Sequence, residues 1–336
     1  MKRFHSLFMI GISLFSVAAY SAELRVLTHY AFSLSKQQLA EFEHQSGVSL
    51  TLIRAGDAGE MVNKLVLTKA HPIADVAFGI DNALVGRALA AGIIDPYVPR
   101  LPQHVKATLP GGVVSIDYSY VTLNYDKAWF MKHRLPLPRT LDDLTLPRYK
   151  NLLVVENPAT SSPGLGFLLS TIHTLGEENA FRFWQKLRAN GVKVVNGWSE
   201  AYYTEFSHHG GSRPLVLSYA TSPLAEKFHN TVHRDTSPTG NLLLPGAVFR
   251  QIEGIALIRG GKQRKAAEQF IEFMRSRTAQ YALQTTMWVY PVVRSVTLTP
   301  LFRSINEPSM HQTPDETLIH ANHSRWLTRW TRTVLR

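Results

Sequence analysis

The sequence predicts an α/β protein folded as a two-lobe clamshell, its sheets mostly parallel and its lobes joined by two crossing strands. Three observations carry the prediction. Short apolar runs alternate with helical patterns from residue 24 to residue 91; one long β-favouring run at 113–125 breaks that rhythm; a second alternating series follows, closed by another long run at 248–257. Alternating strands and helices build parallel sheets flanked by helices, and two uninterrupted mid-chain runs suit strands that pass from one unit to the other. Residues 22–120 with 250–300 are expected in one lobe and 121–249 in the second, and the helices of 301–336 are assigned to neither.

Residues 24–29 form the opening strand. Residues 35–45 follow as a helix, with Leu39 and Phe42 at helical spacing and Gly47 to end it. Residues 48–53 alternate as a strand. A Gly-Asp-Ala-Gly loop at 56–59 leads into a helix carrying Met61, Leu65 and Val66; 74–78 is strand-like and 83–91 helical. Beyond the first crossing run lies a proline-rich stretch at 135–147. The second series comprises a strand at 152–155, helices at 165–175 and 178–190, and strands at 192–195 and Leu215–Tyr219. Residues 262–275 are an amphipathic helix with Ala266, Phe270, Ile271 and Met274 on its apolar face. The carboxyl end spaces Trp326 and Trp330 four apart on a basic helix, expected to dock on the core rather than to lie on a membrane.

Residues 1–21 read as a secretory leader. Lys2 and Arg3 precede an apolar stretch at 7–19 too short to span a bilayer, and Ala19-Tyr20-Ser21 puts small residues at the cleavage-determining positions. Removing 21 of the 336 residues leaves 315, room for two domains. A content of 45% hydrophobic and 10% aromatic residues supplies sizeable cores. The chain has no cysteine, which excludes a disulfide framework, thiolate chemistry and a lipid at the new amino terminus; the protein is expected free in the periplasm. The net charge of +11 is dispersed except at 262–265 and at the carboxyl end. With a secretory start, that excludes nucleic acid as the partner and leaves a basic surface suited to an acidic membrane partner.

Four blocks and one loop carry candidate ligand residues. In 157–166, Ser162 reads as a helix N-cap with Pro163 at the first helical position. Free N–H groups beside two extra hydroxyls there make either an anion site or an ordinary capped helix. Block 196–203 places Trp198 after a strand, where open α/β sheets bind ligands. The strand Leu215–Tyr219 ends in an aromatic and runs into Ala220, Thr221 and Ser222; block 287–291 holds Trp288. A lone aromatic is ordinarily core, but three at strand ends or turns, outside helical stripes, point to a cleft. Asp57, in its Gly-bounded loop, either caps a helix or faces a cation. Aromatic faces with a carboxylate favour a flat or cationic ligand.

These residues carry a resemblance. The stretches 157–166, Gly197-Trp198-Ser199-Glu200-Ala201-Tyr202, 215–223 and 288–291 resemble the thiamine-binding periplasmic proteins of bacterial ABC importers, which are type II periplasmic solute-binding proteins. So do Ala74-Asp75-Val76, Gly79-Ile80-Asp81-Asn82, Asp117-Tyr118 and Tyr125-Asp126, so that the likeness spans the chain from residue 24. The resemblance implies a type II clamshell that holds thiamine or a thiamine phosphate without turnover, cofactor or metal. It implies an inner-membrane ABC permease and its ATPase as partners, and a monomeric receptor. It places Asp57 and Ala58 at the ligand, with Asp57 meeting the aminopyrimidine, and Ser161 and Ser162 at the phosphate or hydroxyethyl end. Trp198, Tyr219, Ala220, Thr221, Ser222 and Trp288 surround the rings. The chain departs from the family at Ala58, where glycine is frequent, at His29 and Tyr30 in the first strand's exit, and near Ala225, where an aromatic is common.

Rival readings rest on other residues. A ferric-ion receptor uses adjacent tyrosines, and Tyr202-Tyr203 is such a pair, though its position suits packing; a polyamine receptor shares the general layout. A secreted hydrolase lacks its usual signals here: no Gly-Xaa-Ser-Xaa-Gly elbow and no His-Glu-Xaa-Xaa-His helix. His208-His209 reads as a solvated loop rather than a metal site.

Overall fold

The computed structural model describes residues 23–100, 104–230, 236–311 and 313–336; the leader expected at 1–21 lies outside them. Strand β1 (Glu23–Thr28) leads into helix α1 (Lys36–Ser46), which begins with a capping box on Ser35 and stops at a left-handed Gly47. β2 (Ser49–Arg54), α2 (Ala58–Leu67), β3 (Val76–Asp81), α3 (Val85–Ala90) and the short β4 (Ile94–Asp95) complete the first series. The long β5 (Val114–Asp126) follows, then α4 (Lys127–His133), β6 (Leu153–Glu156), α5 (Ser162–Leu175) and α6 (Glu177–Ala189). β7 (Lys193–Val195), the single turn α7 (Trp198–Glu200), β8 (Leu215–Tyr219), α8 (Ser222–His229) and β9 (Thr239–Leu242) end the second series. β10 (Phe249–Ile258) returns and is followed by α9 (Arg264–Arg275), α10 (Arg277–Thr286), β11 (Tyr290–Pro291), α11 (Pro300–Arg303) and α12 (Glu316–Trp330).

The strands form one mixed sheet ordered β2-β1-β3-β10-β5-β8-β6-β7. Its two ends are the parallel parts the alternating pattern foretells: β1 pairs in parallel with β2 and β3, and β6 with β7 and β8. The crossing strands run antiparallel to both ends. β5 pairs with β10 over Val114 to Val121, then with β8 from Val121 onward. One strand thus serves both halves of the two-lobe fold, and the floor between them is β5 and β10.

Helices cover both faces. On α9, Ala266, Phe270, Ile271 and Met274 are all buried, as the apolar stripe demands. On α12, Trp326 and Trp330 are buried too, and Trp330 meets Trp184 of α6 edge-on at 5.5 Å. The same helix touches the first series, because a Cβ on Gly86 of α3 would come 3.0 Å from His320. The carboxyl-terminal helix therefore packs on both halves. Among the described residues no helix is long and apolar enough to cross a membrane.

Candidate functional site

The start of α2 lies against the loop that precedes α5. Asp57 occupies the N-cap position of α2, yet its side chain makes no capping bond to that helix. Its Oδ2 instead accepts from Ser161 Oγ at 2.6 Å and from the Trp198 backbone N–H at 2.9 Å. Beside it the Glu60 N–H donates to the Thr160 carbonyl at 3.2 Å. Two glycines permit this approach: a Cβ on Gly59 would stand 2.7 Å from the Thr160 backbone, and one on Gly197 would stand 3.1 Å from Asp57 Cγ.

The N-cap of α5 is Ser161, one residue before the Ser162 that the Ser-Pro pattern suggests. The reason is where the hydroxyls go. Ser161 donates to Asp57, and Ser162, already in the first turn, donates to Asp81 Oδ2. Neither hydroxyl caps the helix, and the anions at this helix start are the protein's own carboxylates. Burial pushes the Asp81 carboxyl up to about 6.

Trp198 forms the aromatic wall. Tyr202 stacks on it at 5.0 Å with the rings 18° apart, and Tyr219 tilts toward it at 6.2 Å. The indole Nε1 donates to Ser218 Oγ at 2.8 Å, and Ser218 Oγ is 2.9 Å from Ser222 Oγ. Ser222 thus fixes the indole through Ser218. Trp288 lines the same cleft, in edge contact with Phe228 and His229 of α8 at 5.3 and 5.6 Å. Its φ of 60° is a left-handed value that a bulky residue adopts only when its surroundings enforce it, and such outliers gather at functional sites.

These groups enclose a cleft of about 540 Å³, the size of a small-molecule site. Of the residues expected from the sequence, Asp57, Ala58, Ser162, Trp198, Tyr219, Thr221, Ser222 and Trp288 line it. Ser161 is buried behind Asp57. Ala220 packs away from the cleft with Tyr118, Leu224 and Phe302, because its backbone N–H is tied to the Tyr120 carbonyl. The floor holds residues that no local block marks as ligand-binding: Asp117 and Ser119 of β5 and Gln251 and Glu253 of β10 line the cleft together with His29, although Asp117 belongs to the family likeness and His29 to its departures. Their signal was present: Asp117 and Glu253 interrupt the two runs most favourable to β structure. Asp57, Asp117, Glu226 and Glu253 all line the cleft, and among the described residues no lysine or arginine does.

His208 and His209 end a short helical turn where His209 stays exposed, as expected of a solvated segment, but both rings turn to one carboxylate. Their Nε2 atoms lie 3.2 and 3.0 Å from the two oxygens of Glu226, which also accepts from Tyr202 OH at 3.0 Å. Burial alone would push the Glu226 carboxyl up, but these three donors hold it well below the usual carboxylate range. Tyr202 is buried with its hydroxyl committed to this cluster, whereas Tyr203 is 56% exposed, so the two phenols sit in unlike surroundings.

Residues 71–315 match the model of the bacterial extracellular solute-binding protein family. The chain is similar to the thiamine-binding periplasmic protein of Salmonella typhimurium, 33% identical over 306 residues that cover 88% of this chain and 87% of that protein. A solved periplasmic thiamin binding protein superposes with a TM-score of 0.81 at 29% identity, covering 94% of this chain and 96% of that one. Iron-bound HitA from Pseudomonas aeruginosa, at a TM-score of 0.72 and 18% identity over 93% of this chain and 99% of that one, shares the fold.

Proposed function

Because the chain belongs to the bacterial extracellular solute-binding protein family, we propose that it is the thiamine receptor of an ABC importer. After loss of the leader at 1–21 it works in the periplasm as a monomer. It closes one lobe, residues 22–120 with 250–300, against the other, residues 121–249, and delivers thiamine to an inner-membrane permease and its ATPase. No bond is made or broken; closure buries the ligand, and the closed shape is what the permease recognises.

One observation carries this reading. The cleft joins Trp198, Tyr219 and Trp288 to four acidic side chains and, among the described residues, no basic lysine or arginine. Aromatic faces beside acidic side chains that no lysine or arginine in the cleft lining balances favour a flat cation, and a thiazolium joined to an aminopyrimidine is one. In this assignment Trp198, Tyr219 and Trp288 stack on the rings, Ala58, Ser162 and Thr221 meet the ligand's edges, and Asp57 with Ser161 and Ser222 hold the walls in place. Intrinsic tryptophan fluorescence tests it: thiamine should quench the emission to saturation at one ligand per chain, and emission indifferent to thiamine up to about 1 mM would overturn it.

A further inference from the structure

The cleft floor holds an arrangement that the aromatic walls do not explain. Asp117 of β5 and Glu253 of β10 are register partners on adjacent antiparallel strands. Like charges directly opposite one another destabilise a sheet. Asp117 is fully buried; neither of its oxygens accepts from an N–H or hydroxyl donor among the described residues, and the Glu253 carboxyl is near enough to share a proton with it. Glu253 is matched on its other side, where His29 Nε2 lies 3.2 Å from Oε1. Two residues along the same strands, Ser119 faces Gln251, whose Oε1 accepts from Tyr219 OH at 3.2 Å. Side chains two apart share a strand face, and all four residues line the cleft. The floor is thus a polar strip whose Asp117 carboxyl faces only another carboxyl and, among the described residues, has no N–H or hydroxyl donor.

We infer that Asp117, backed by Glu253 and His29, is the subsite for the ligand's nitrogen heterocycle, gripping a ring nitrogen and the amino group beside it. This rests on the reading that thiamine occupies the cleft, and it moves the aminopyrimidine away from Asp57, whose Oδ2 is already filled by Ser161 and Trp198. A carboxyl group presents two oxygens in one plane, matched to two adjacent ring-edge groups. Burial, and then the neighbouring Glu253, push the Asp117 carboxyl well above the usual range, so it keeps a proton. Its O–H then donates to the ring nitrogen while its carbonyl oxygen accepts from the amino group. On the other side His29 Nε2 approaches Glu253 Oε1; burial works against charge on that imidazole, but Glu253 raises its pKa overall. Ligand binding gives the Asp117 carboxyl the N–H donor and ring-nitrogen acceptor that the fold does not supply, a gain specific to heterocycles with this edge.

The test compares two probes by calorimetry on the full mature chain: thiamine, and the analogue in which a benzyl group replaces the aminopyrimidine-methyl unit. The analogue keeps the thiazolium, the hydroxyethyl arm and a flat ring, and loses only the nitrogen edge. Wild type should prefer thiamine by at least about tenfold. Asp117→Leu should shrink that preference to within about threefold while leaving affinity for the benzyl analogue within about threefold of wild type, which also certifies a formed cleft. Glu253→Gln provides a second arm for the case where Asp117→Leu fails to fold. Its amide can donate to Asp117 and let that carboxyl ionise, so the preference should fall by about fivefold or more. A preference unchanged in the folded variants overturns the inference and leaves the receptor reading intact. Wild type that binds neither probe removes the receptor reading itself.

Discussion

Asp57 reaches from the start of α2 to Ser161, the cap of α5, and its Oδ2 accepts the serine hydroxyl at 2.6 Å. The same oxygen takes the Trp198 N–H at 2.9 Å, so one carboxylate binds together the three segments that frame the cleft. Asp57→Ala removes that link and leaves a buried hydroxyl and an N–H without their acceptor. It should weaken thiamine binding by at least about tenfold, and by more than Ser161→Ala does, with the far-ultraviolet circular dichroism unchanged. Equal affinity in wild type and Asp57→Ala would show that the cleft forms without the clasp.

Trp198 is held by stacking on Tyr202 and by its bond to Ser218. Trp198→Ala should lower thiamine affinity at least about tenfold while the fold persists, since the ring is only partly buried. Ser218→Ala frees the indole without removing it and should cost less, about two- to fivefold. Calorimetry on both variants checks the order; the reverse order would mean that the ring is structural.

The fold was legible where periodicity and caps agree. Ser35 and Gly47 bound α1 as its pattern requires, and Leu215–Tyr219 is a strand over the same residues. Helix α10 escaped because its buried face carries Gln280 and Gln284, both fully enclosed. Gln280 donates to the carbonyls of Ile116 and Met274 and accepts from Val293 N–H, while Gln284 accepts from Thr299 N–H. Periodicity treats glutamine as a solvent residue, so a helix buried through hydrogen bonds loses its stripe. The site divides in the same way. Aromatics and hydroxyls at strand ends were visible as local blocks, whereas the pairing of Asp117 with Glu253, and the diversion of Ser161 and Ser162 to carboxylates, depend on residues far apart in sequence.

Glu177 anchors the carboxyl-terminal helix. It accepts from Arg325 Nη2 at 2.7 Å, Trp326 Nε1 at 2.9 Å and Arg329 Nη1 at 3.0 Å. These bonds, Arg325 first, bring its carboxyl down from the ordinary 4.5 to about 2. A carboxylate with a lowered folded-state pKa adds stability that is complete above the unfolded value and is lost as the pH falls through the folded one. Glu177→Gln should therefore lower the melting temperature at pH 7 by about 2 °C or more. That difference should narrow as the pH drops from 4.5 toward 2. A gap independent of pH would contradict the assignment.

Ferric ion provides a contrast. Burial, followed by the nearby Glu226 charge, raises the Tyr202 phenol well above its ordinary value, which opposes the tyrosinate that iron needs. Titration with ferric citrate should produce no visible phenolate-to-iron absorption band. A band that disappears in Tyr202→Phe would return the pair to a metal role.

The most direct measurement is calorimetric titration of protein stripped of ligand by unfolding and refolded, with thiamine in the syringe. One site per chain with a Kd of about 1 µM or tighter, corresponding to about 8 kcal/mol, is the expected result. Absence of binding by correctly refolded protein at about 100 µM thiamine would contradict the account.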